Sequence, residues 1–562
     1  MPLLNEKRNP LHTAAFLVAL GAVYLLVGLY SLGQHLYLGE TDTTYFFVHV
    51  QEILKQGNTW DLLKSFFSGT FTENNQSSLF PFIISFFYEQ SAAYFVHIKV
   101  LNLFLGLLYV YLLYFLVRRE SNELYALIAA CALVANDIFM HQSTMVSCEP
   151  LLMIVTTLSF YFIIKGLDDN RFWILAGLFA GLSYMTKPSG LFIVFGFGLF
   201  LLYDRKMNLW ALMKNKYLWM FLLMFVLVCL PLLVRNTILY KFPFYTINMD
   251  MLAMDQNWGQ TDQTEKFTDI FKKGIADNAY RFFWGLAREF RILLHSLYSF
   301  SVHYVPKFSW DLASMAAKAA AALLSVLTLG ISLFGFFASG MSRRKKALIV
   351  FLVLGFYLPL SWYSITSPNR RYLLPVVPFF LVFFAVGLVH VAGKVFKTAH
   401  EAFPERVAPV KLALTAALLV FAVAYPLARP IPAPASTYRA EDGYEELAAF
   451  FKNNLKGDEK YFSKGIHHYS WVLLHPELES KKTAKNYFPD IESFNAYFAS
   501  KKNIKYMLMQ PELYRATKNI LGDYVALDRT RGLVLLKDIP GWKKIKIDTA
   551  EPVDYILFER SE

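Results

Sequence analysis

The sequence predicts an α-helical polytopic membrane protein with about eleven spans, interfacial helices between them and a small α/β soluble domain at its C-terminal end. Of the 562 residues, 56% are hydrophobic, only 17% are charged and 52 are phenylalanine, a composition that soluble globular proteins do not tolerate. The apolar residues are gathered into runs that stop near residue 428, and the remaining sequence is much more charged. These observations predict a membrane part followed by a soluble part.

Eleven apolar runs are candidates for membrane spans. Several are shorter than the roughly 20 residues that cross about 30 Å of hydrocarbon, so their flanks contribute or their outer ends stop at a protein-lined cavity. The count falls to nine if the fifth and sixth runs form a re-entrant hairpin. The runs are Leu11 to Leu32, Ala92 to Val117, Leu124 to Ala135, Leu151 to Ile164, Phe172 to Met185, Leu191 to Tyr203, Leu218 to Val234, Leu312 to Phe337, Ala347 to Trp362, Leu373 to Val391 and Leu412 to Ala428.

Basic residues mark every second connection between these runs, as in Arg118 and Arg119 or in the cluster from Arg343 to Lys346. By the positive-inside rule these connections face the cytoplasm of a multi-pass inner (plasma) membrane protein. The first outer loop (34–91), the long outer loop (235–311) and the C-terminal part are then extracytoplasmic. Because the net charge of +12 lies in these short clusters, it indicates contact with membrane lipids and no nucleic acid.

The outer loops contain amphipathic segments that predict helices lying in the membrane interface. Residues 48–67 mix apolar and charged side chains and are divided at Gly57-Asn58, which indicates two helices. The run Leu79 to Tyr88 is too short to span and carries a proline in its first turn, so it predicts a third interfacial helix. The long outer loop is rich in aromatic and basic residues, which predicts further surface helices.

A composition break at residues 428–434, with prolines at 430, 432 and 434, predicts a stiff linker between a membrane domain (1–430) and a soluble α/β domain (431–562). Within the second domain, helical patterns cover Tyr444 to Asn454 and Pro511 to Leu521. Strand patterns cover Lys505 to Met509, Gly532 to Leu536 and Val553 to Phe558.

Two outer loops carry carboxylates that are candidates for chemistry. Glu40 and Asp42 follow the first apolar run, where a carboxylate is either the solvated end of a helix or a catalytic group. Glu149, in Ser147-Cys148-Glu149-Pro150, opens an apolar run, so helix capping alone accounts for it as well as catalysis does. Both alternatives stay open at each position.

Cations at the outer ends of apolar runs form the second group of candidates. Lys187 interrupts an apolar stretch and requires an anionic partner, either a ligand phosphate, a catalytic carboxylate or a structural ion pair. Arg370 and Arg371, followed by Tyr372, stand before an apolar run, and arginine suits bidentate phosphate contact. Arg235 adds a further outer cation, and binding of lipid headgroups is the alternative for all three arginines.

Taken together, these motifs resemble the GT-C superfamily of integral membrane glycosyltransferases, in its bacterial branch that includes lipid A aminoarabinose transferases and protein O-mannosyltransferases. The resemblance covers nearly the whole chain in topology. It rests most on Thr186-Lys187-Pro188 and on Arg371-Tyr372-Leu373-Leu374-Pro375, with Glu40-Thr41-Asp42, Ser147-Cys148-Glu149-Pro150 and Arg235-Asn236 as weaker matches.

The resemblance implies transfer of a sugar from a polyprenyl-phosphate donor to a lipid, glycan or protein acceptor on the outer face of the membrane. It implies that Asp42 is the catalytic residue of the first loop, although Thr41 separates Glu40 from Asp42 where many members have adjacent acidic residues. The chemistry agrees, since glycosyl transfer needs a base and a positive site for the leaving phosphate.

Two points stay open at this stage. A divalent cation, Mg²⁺ or Mn²⁺, held by Asp42 and Glu149 is an alternative to the cations as phosphate partner, and no other cofactor is indicated. An O-antigen ligase or polymerase and a polytopic transporter of a lipid-linked or anionic substrate are the other classes with similar topology. The transporter should show charges deep inside several spans and two similarly patterned halves, and neither is visible here.

Overall fold

The structure is a computed structural model that describes most of the chain between residues 10 and 561. The residues outside the description are 1–9, 35–41, 74–76, 209, 211–212, 247–248, 250–271, 298–311, 364–368, 403–440, 464–474, 476, 479–480, 484–487, 489, 511–512, 515–516, 518–519, 529–531, 546–554 and 562. The predicted run Leu412 to Ala428, the linker and the domain boundary at 430 therefore lie outside the described residues, and Pro511 to Leu521 lies partly outside them.

Fifteen α-helices make up the described membrane part. They are α1 (Pro10–Gln34), α2 (Thr43–Lys55), α3 (Thr59–Ser68), α4 (Leu79–Ser85), α5 (Ala92–Glu120), α6 (Glu123–Val134), α7 (Asp137–Ser143), α8 (Glu149–Lys165), α9 (Phe172–Thr186), α10 (Leu191–Asp204), α11 (Lys216–Tyr240), α12 (Ile275–Leu297), α13 (Leu312–Ala338), α14 (Arg343–Tyr363) and α15 (Val377–Ala402). Ten of the eleven predicted runs thus lie on helices, and the class of helical membrane protein is confirmed.

Length divides these helices into two groups. Five helices of the described part are long and apolar enough to cross a membrane, and a sixth span results if α6 and α7 count as one broken helix with its 67° bend. Shorter apolar helices, including α9 and α10, accompany them. The short runs seen in the sequence are therefore short helices, a form that is tolerated at membrane depth where other protein segments surround the ends.

The interfacial helices follow their sequence signals. Gly57 adopts a left-handed φ of +80°, and Asn58 begins α3 by accepting a hydrogen bond from the backbone N–H of Asp61. Glycine takes up this backbone conformation without strain, and asparagine is a favoured N-cap, so the division between α2 and α3 is fixed locally. The predicted break is confirmed, and helices are found at Leu79–Ser85 (α4) and within the long loop at Ile275–Leu297 (α12).

One helix was not predicted and one predicted boundary needs correction. The run from Leu124 ends near Ala135 as predicted, and Asn136 then caps a further helix, α7, which is mostly buried. The run from Leu373 does not begin a span at that residue. A 3₁₀ helix occupies Arg370–Leu373, and the long helix starts only at Val377. Pro375 cannot donate a backbone hydrogen bond, which is consistent with the irregular segment between them.

The membrane core that supports the outer loops is a cluster of buried aromatic and aliphatic side chains from α8, α9, α10, α11 and α14. Helices α10 and α14 approach so closely that a Cβ on Gly196 would lie 2.7 Å from the carbonyl oxygen of Phe351. At the turn between α9 and α10, a Cβ on Gly190 would lie 2.3 Å from the backbone nitrogen of Tyr184. This turn therefore needs glycine, and it fixes the backbone around Lys187.

The C-terminal part contains a helix, α16 (Glu441–Asn454), a second helix, α17 (Ile491–Ser500), and seven short strands among its described residues. Strands β1 (Lys460–Phe462), β2 (Lys482–Thr483), β3 (Ile504–Met509), β6 (Trp542–Ile545) and β7 (Ile556–Arg560) form a mixed sheet in the order β2-β1-β3-β7-β6, and β4 (Val525–Asp528) pairs with β5 (Gly532–Leu535). The predicted helix at 444–454 and strands near 505, 532 and 556 are found.

Candidate functional site

Asp42 and Arg371 meet although 329 residues separate them along the chain. Asp42 precedes α2, and Arg371 lies in the 3₁₀ helix before α15. An Nη2–H of Arg371 donates to Oδ2 of Asp42 at 2.5 Å, and the two side chains are 6% and 23% exposed respectively. Because one guanidinium can bind several acceptors, Arg371 is also able to contact a second anion.

Glu149 is the most deeply buried carboxylate of this cluster, with a side chain that is 1% exposed. Its Oε1 lies 2.5 Å from Nζ of Lys187 and 3.6 Å from Nε of Arg371. Its Oε2 accepts a hydrogen bond from the hydroxyl of Ser147. Helix capping therefore does not account for Glu149, since its side chain points to two cations and the residue at the N-cap is Cys148.

Lys187 lies at the end of α9 in extended backbone conformation. Besides its ion pair with Glu149, its ammonium lies 4.9 Å from the centroid of the Tyr372 ring, and the guanidinium carbon of Arg371 lies 5.7 Å from the same ring. Tyr372 thus borders both cations. Such a contact stabilises a cation that is shielded from water.

The four charges of Asp42, Glu149, Lys187 and Arg371 are called the charge cluster below. They come from the segment before α2, the start of α8, the turn after α9 and the 3₁₀ helix. Two carboxylates and two cations make its formal charge zero. The loops of the two cations contain no carboxylates of their own, and Glu149 and Asp42 from other loops supply the partners, which is one of the alternatives left open for Lys187.

Arg370 and Arg235 occupy different surroundings. Arg370 Nη1 lies 3.7 Å from Oδ2 of Asp137, at the edge of the charge cluster. Arg235 is buried on α11, where it donates to the carbonyl oxygen of Glu73 and to the side-chain oxygen of Asn236. Glu40 lies outside the described residues, so the choice between Glu40 and Asp42 stays a prediction. The structure groups Asp42, Glu149, Lys187 and Arg371, but it does not join Arg235 to them by a direct hydrogen bond or ion pair among the described residues.

Several supporting residues were not identified from the sequence. Asn102 on α5 donates to the carbonyl oxygens of Met145 and Ser147 at 2.6 and 2.7 Å, which holds the loop that carries Glu149. Asn136 similarly donates to the carbonyl oxygens of Ser296 and Leu297 at the end of α12. A buried asparagine inside or beside an apolar run is the signal that could have indicated such contacts, because buried amides need partners.

Comparisons with known proteins found a matching family profile and solved structures of similar fold. The profile of the family described as dolichyl-phosphate-mannose-protein mannosyltransferase matches residues 17–247. The solved structure of ArnT from Cupriavidus metallidurans bound to undecaprenyl phosphate is 12% identical, and the match covers 97% of this chain and 98% of that chain with a TM-score of 0.52. Its apo structure is 14% identical with the same coverage and TM-score.

The family profile covers less than half of the chain, and the ArnT structures share its fold at low sequence identity. The Archaeoglobus fulgidus oligosaccharyltransferase in complex with Zn and sulfate has a similar fold, with 12% identity, a TM-score of 0.51 and coverage of 94% of this chain and 73% of that chain. No sequence among proteins of curated function matches this chain. The charge cluster draws on residues inside the segment that the family profile matches and on Arg371 of the later 3₁₀ helix.

Replacing Glu149 by Gln should destabilise the protein because Lys187 would lose the carboxylate that compensates its burial. Breaking a buried ion pair by removing one partner costs about 3 to 5 kcal/mol. The measurement is thermal unfolding of the detergent-purified protein. Glu52→Gln is the control, since it breaks an exposed ion pair to Lys55 that is worth about 1 kcal/mol or less. Equal melting of the two variants would contradict the structural importance of Glu149.

Proposed function

We propose that this GT-C enzyme transfers a sugar from a polyprenyl-phosphate donor to a lipid, glycan or protein acceptor on the extracytoplasmic side of the membrane. The observation that carries the proposal is the charge cluster, in which a partly exposed carboxylate, Asp42, pairs with Arg371, while Arg371 and Lys187 both contact the buried carboxylate of Glu149. This combination supplies what the reaction needs, namely an acceptor for a proton and positive charge for a leaving phosphate. The undecaprenyl phosphate bound in the ArnT structure supports the donor class.

In the proposed reaction, the acceptor's nucleophilic atom attacks the anomeric carbon while the bond from that carbon to the phosphate oxygen breaks. The proton of the nucleophile passes to Asp42. Polyprenyl phosphate leaves with the electron pair of the broken bond, and Lys187 and Arg371 stabilise the negative charge that develops on it. Positioned hydrogen-bond donors of this kind stabilise developing negative charge most strongly in a site from which water is excluded.

Asp42 suits the role of base better than Glu149 does. Glu149 is almost fully buried and its two carboxylate oxygens already contact Lys187, Arg371 and Ser147. Taking a proton would weaken those contacts. Asp42 has a side chain that is 23% exposed, so an acceptor can approach it. We assign Glu149 the role of holding the two cations in place.

The charge cluster also bears on the question of a metal ion. A Mg²⁺ or Mn²⁺ site needs several oxygen ligands, and the described residues contain no group of three or more His, Cys, Asp or Glu side chains able to hold a metal. Asp42 and Glu149 are instead each paired with a cation. The donor set therefore does not fit a divalent ion as arranged. We assign phosphate binding to Lys187 and Arg371, which Tyr372 borders, with Arg370 as the neighbouring residue in the chain and Arg235 as a separate outer cation.

We also propose that the protein lies in the inner (plasma) membrane and that residues 431–562 form a separate extracytoplasmic domain attached to the membrane domain (1–430). The support is the alternation of basic connections, which assigns the cluster 343–346 and Lys214 to the cytoplasm. Asp42, Glu149, Lys187 and Arg371 then share the outer face. This arrangement matches a lipid-linked donor that is used outside the cytoplasm.

Replacing Asp42 by Asn keeps the size of the side chain but removes the proton acceptor, so turnover should fall on the order of 10²-fold or more. Mass spectrometry of envelope lipids and glycoproteins from cells with and without the gene identifies the product, and its formation by purified enzyme is then timed. Asp168→Asn, which breaks an ion pair with Lys345 on the opposite face, should leave turnover unchanged. Near-normal transfer by Asp42→Asn, with its fold intact, would assign the base elsewhere.

Replacing Arg371 by Lys should weaken binding of polyprenyl phosphate by about 1.5 to 3 kcal/mol, because the charge stays but the planar pair of donors is lost. Arg371→Ala and Lys187→Ala should weaken it further. Binding is measured on detergent-purified protein, with Arg344→Lys as the matched control, since Arg344 forms a two-bond contact with Asp204 away from the cluster. Equal affinity in all variants would show that these cations serve only the protein's own structure.

A cysteine introduced at Asp442 should react with a membrane-impermeant thiol reagent in intact spheroplasts if the C-terminal part is extracytoplasmic. A cysteine in place of Lys214 should react only after lysis. The background should be low because Cys131, Cys148 and Cys229 are all buried. The reverse pattern of labelling would put the charge cluster on the cytoplasmic side and remove the basis for the proposed donor.

A further inference from the structure

A second group of buried polar atoms lies beside the charge cluster and takes no part in it. His49 on α2 is fully buried, and neither ring nitrogen has a hydrogen-bond partner in the described part of the chain. The ring of Phe71 lies 5.2 Å from the ring of His49 and 6.0 Å from the guanidinium of Arg235, so it borders both side chains. Buried polar atoms are normally paired, and a pair of orphaned ring nitrogens therefore points to a missing partner.

The imidazole of His49 is neutral. Burial, with the charge of Arg235 as the second cause, lowers the pKa of His49 to about 3. A neutral imidazole has one N–H donor and one acceptor nitrogen. His49 therefore offers one hydrogen bond of each kind, with no charge of its own.

Tyr184 on α9 contributes the next orphaned group. Its ring lies 6.0 Å from the rings of both Phe225 and Phe244, and its buried hydroxyl has no partner among the described residues. Phe244 connects Tyr184 with the surroundings of Arg235, because the neighbouring carbonyl oxygens of Pro243 and Tyr245 accept hydrogen bonds from Asn236, the side chain to which Arg235 donates. Tyr184 also precedes Lys187 by three residues, which places this group next to the charge cluster.

Arg235 links these side chains. It is 2% exposed and forms no ion pair with a carboxylate in the part of the chain that the structure describes. Nε and Nη2 donate to Asn236, and Nη1 donates to the carbonyl oxygen of Glu73. Since a guanidinium has five N–H groups, each terminal nitrogen keeps one donor that these contacts do not use.

We propose that His49, Tyr184 and the remaining donors of Arg235 form a pocket that binds hydroxyl groups of the sugar on the lipid donor. The proposal rests on the proposed function and names residues that select the sugar. A metal cation is disfavoured by the fixed charge of Arg235. A simple anion would satisfy Arg235 but not the acceptor nitrogen of His49. A hydroxyl group both donates and accepts, so it can pair with His49, Tyr184 and Arg235 together.

The aromatic walls are consistent with this ligand class. The guanidinium of Arg235 lies 5.5 Å from the ring of Phe66, which stacks on Phe71 at 4.7 Å. A sugar presents C–H faces as well as hydroxyl edges, and apolar walls with a few convergent polar groups are typical of small-molecule sites. His49 also follows Asp42, the N-cap residue of α2, by seven residues. This spacing is about two helical turns, so both residues lie on the same side of the helix.

The test compares full-length wild type with Tyr184→Phe and His49→Phe in detergent. The probes are undecaprenyl phosphate and undecaprenyl phosphates carrying mannose, glucose or arabinose. We expect at least one sugar-bearing lipid to bind wild type more tightly than the bare lipid, and each variant to lose about fivefold to tenfold of that affinity. Binding of bare undecaprenyl phosphate should not change.

Thermal unfolding separates a ligand role from a structural one. Tyr184→Phe should not lower the melting temperature, because it removes a buried hydroxyl that has no protein partner in the described part. The matched control is Tyr24→Phe, which removes an equally buried hydroxyl that donates to the carbonyl oxygen of Leu103 at 3.1 Å. That control should melt earlier and keep the preference for the sugar-bearing lipid.

Three outcomes would overturn the proposal. Equal loss of affinity for bare and sugar-bearing lipids would assign the pocket to the phosphate or the lipid chain. Unchanged affinities in both variants, or a wild type that prefers no sugar-bearing lipid, would show that only water pairs with these atoms. Conversely, a sugar preference that depends on His49 and Tyr184 in a protein that transfers no sugar would count against the proposed reaction and not against the pocket.

Discussion

The contact between Glu149 and Lys187 is the one on which the arrangement of the loops around the charge cluster depends. A carboxylate with a side chain that is 1% exposed is stable in its charged form only with partners, and this one is held by Lys187, Arg371 and Ser147. Asn102 fixes the backbone of the loop from α5. The pairing therefore ties the start of α8 to the end of α9 and to the 3₁₀ helix, and Arg371 extends it to Asp42.

Local signals in the sequence were sufficient for most of the fold. The apolar runs predict the helices, and Gly57-Asn58 predicts the break between α2 and α3, because the backbone preference and the cap act within a few residues. The bend between α6 and α7 and the 3₁₀ helix before α15 were not predicted. Apolar content alone does not predict such bends, since the residues before and after each bend are buried alike.

The site was predictable as a set of residues but not as a set of contacts. A cation at the end of an apolar run stands out in the sequence, and so Lys187 and Arg371 could be named. The pairing of each cation with a particular carboxylate could not be predicted, because Glu149 lies 38 residues from Lys187 and Asp42 lies 329 residues from Arg371. His49 and Tyr184 gave no signal, since a polar aromatic side chain in an apolar run is ordinary until its missing partners are seen.

Charge balance connects the resting cluster with the proposed reaction. Two carboxylates and two cations sum to zero without a ligand, so the buried charges are compensated before any donor binds. A donor phosphate adds negative charge and competes for Arg371, which at rest is bound to Asp42. With Arg371 turned to the phosphate, Asp42 loses a charged hydrogen bond and becomes available to accept a proton. Glu149 cannot be freed in this way because Lys187 and Ser147 also hold it. One shared arginine thus accounts for the different roles that the proposed reaction gives to the two carboxylates of the cluster.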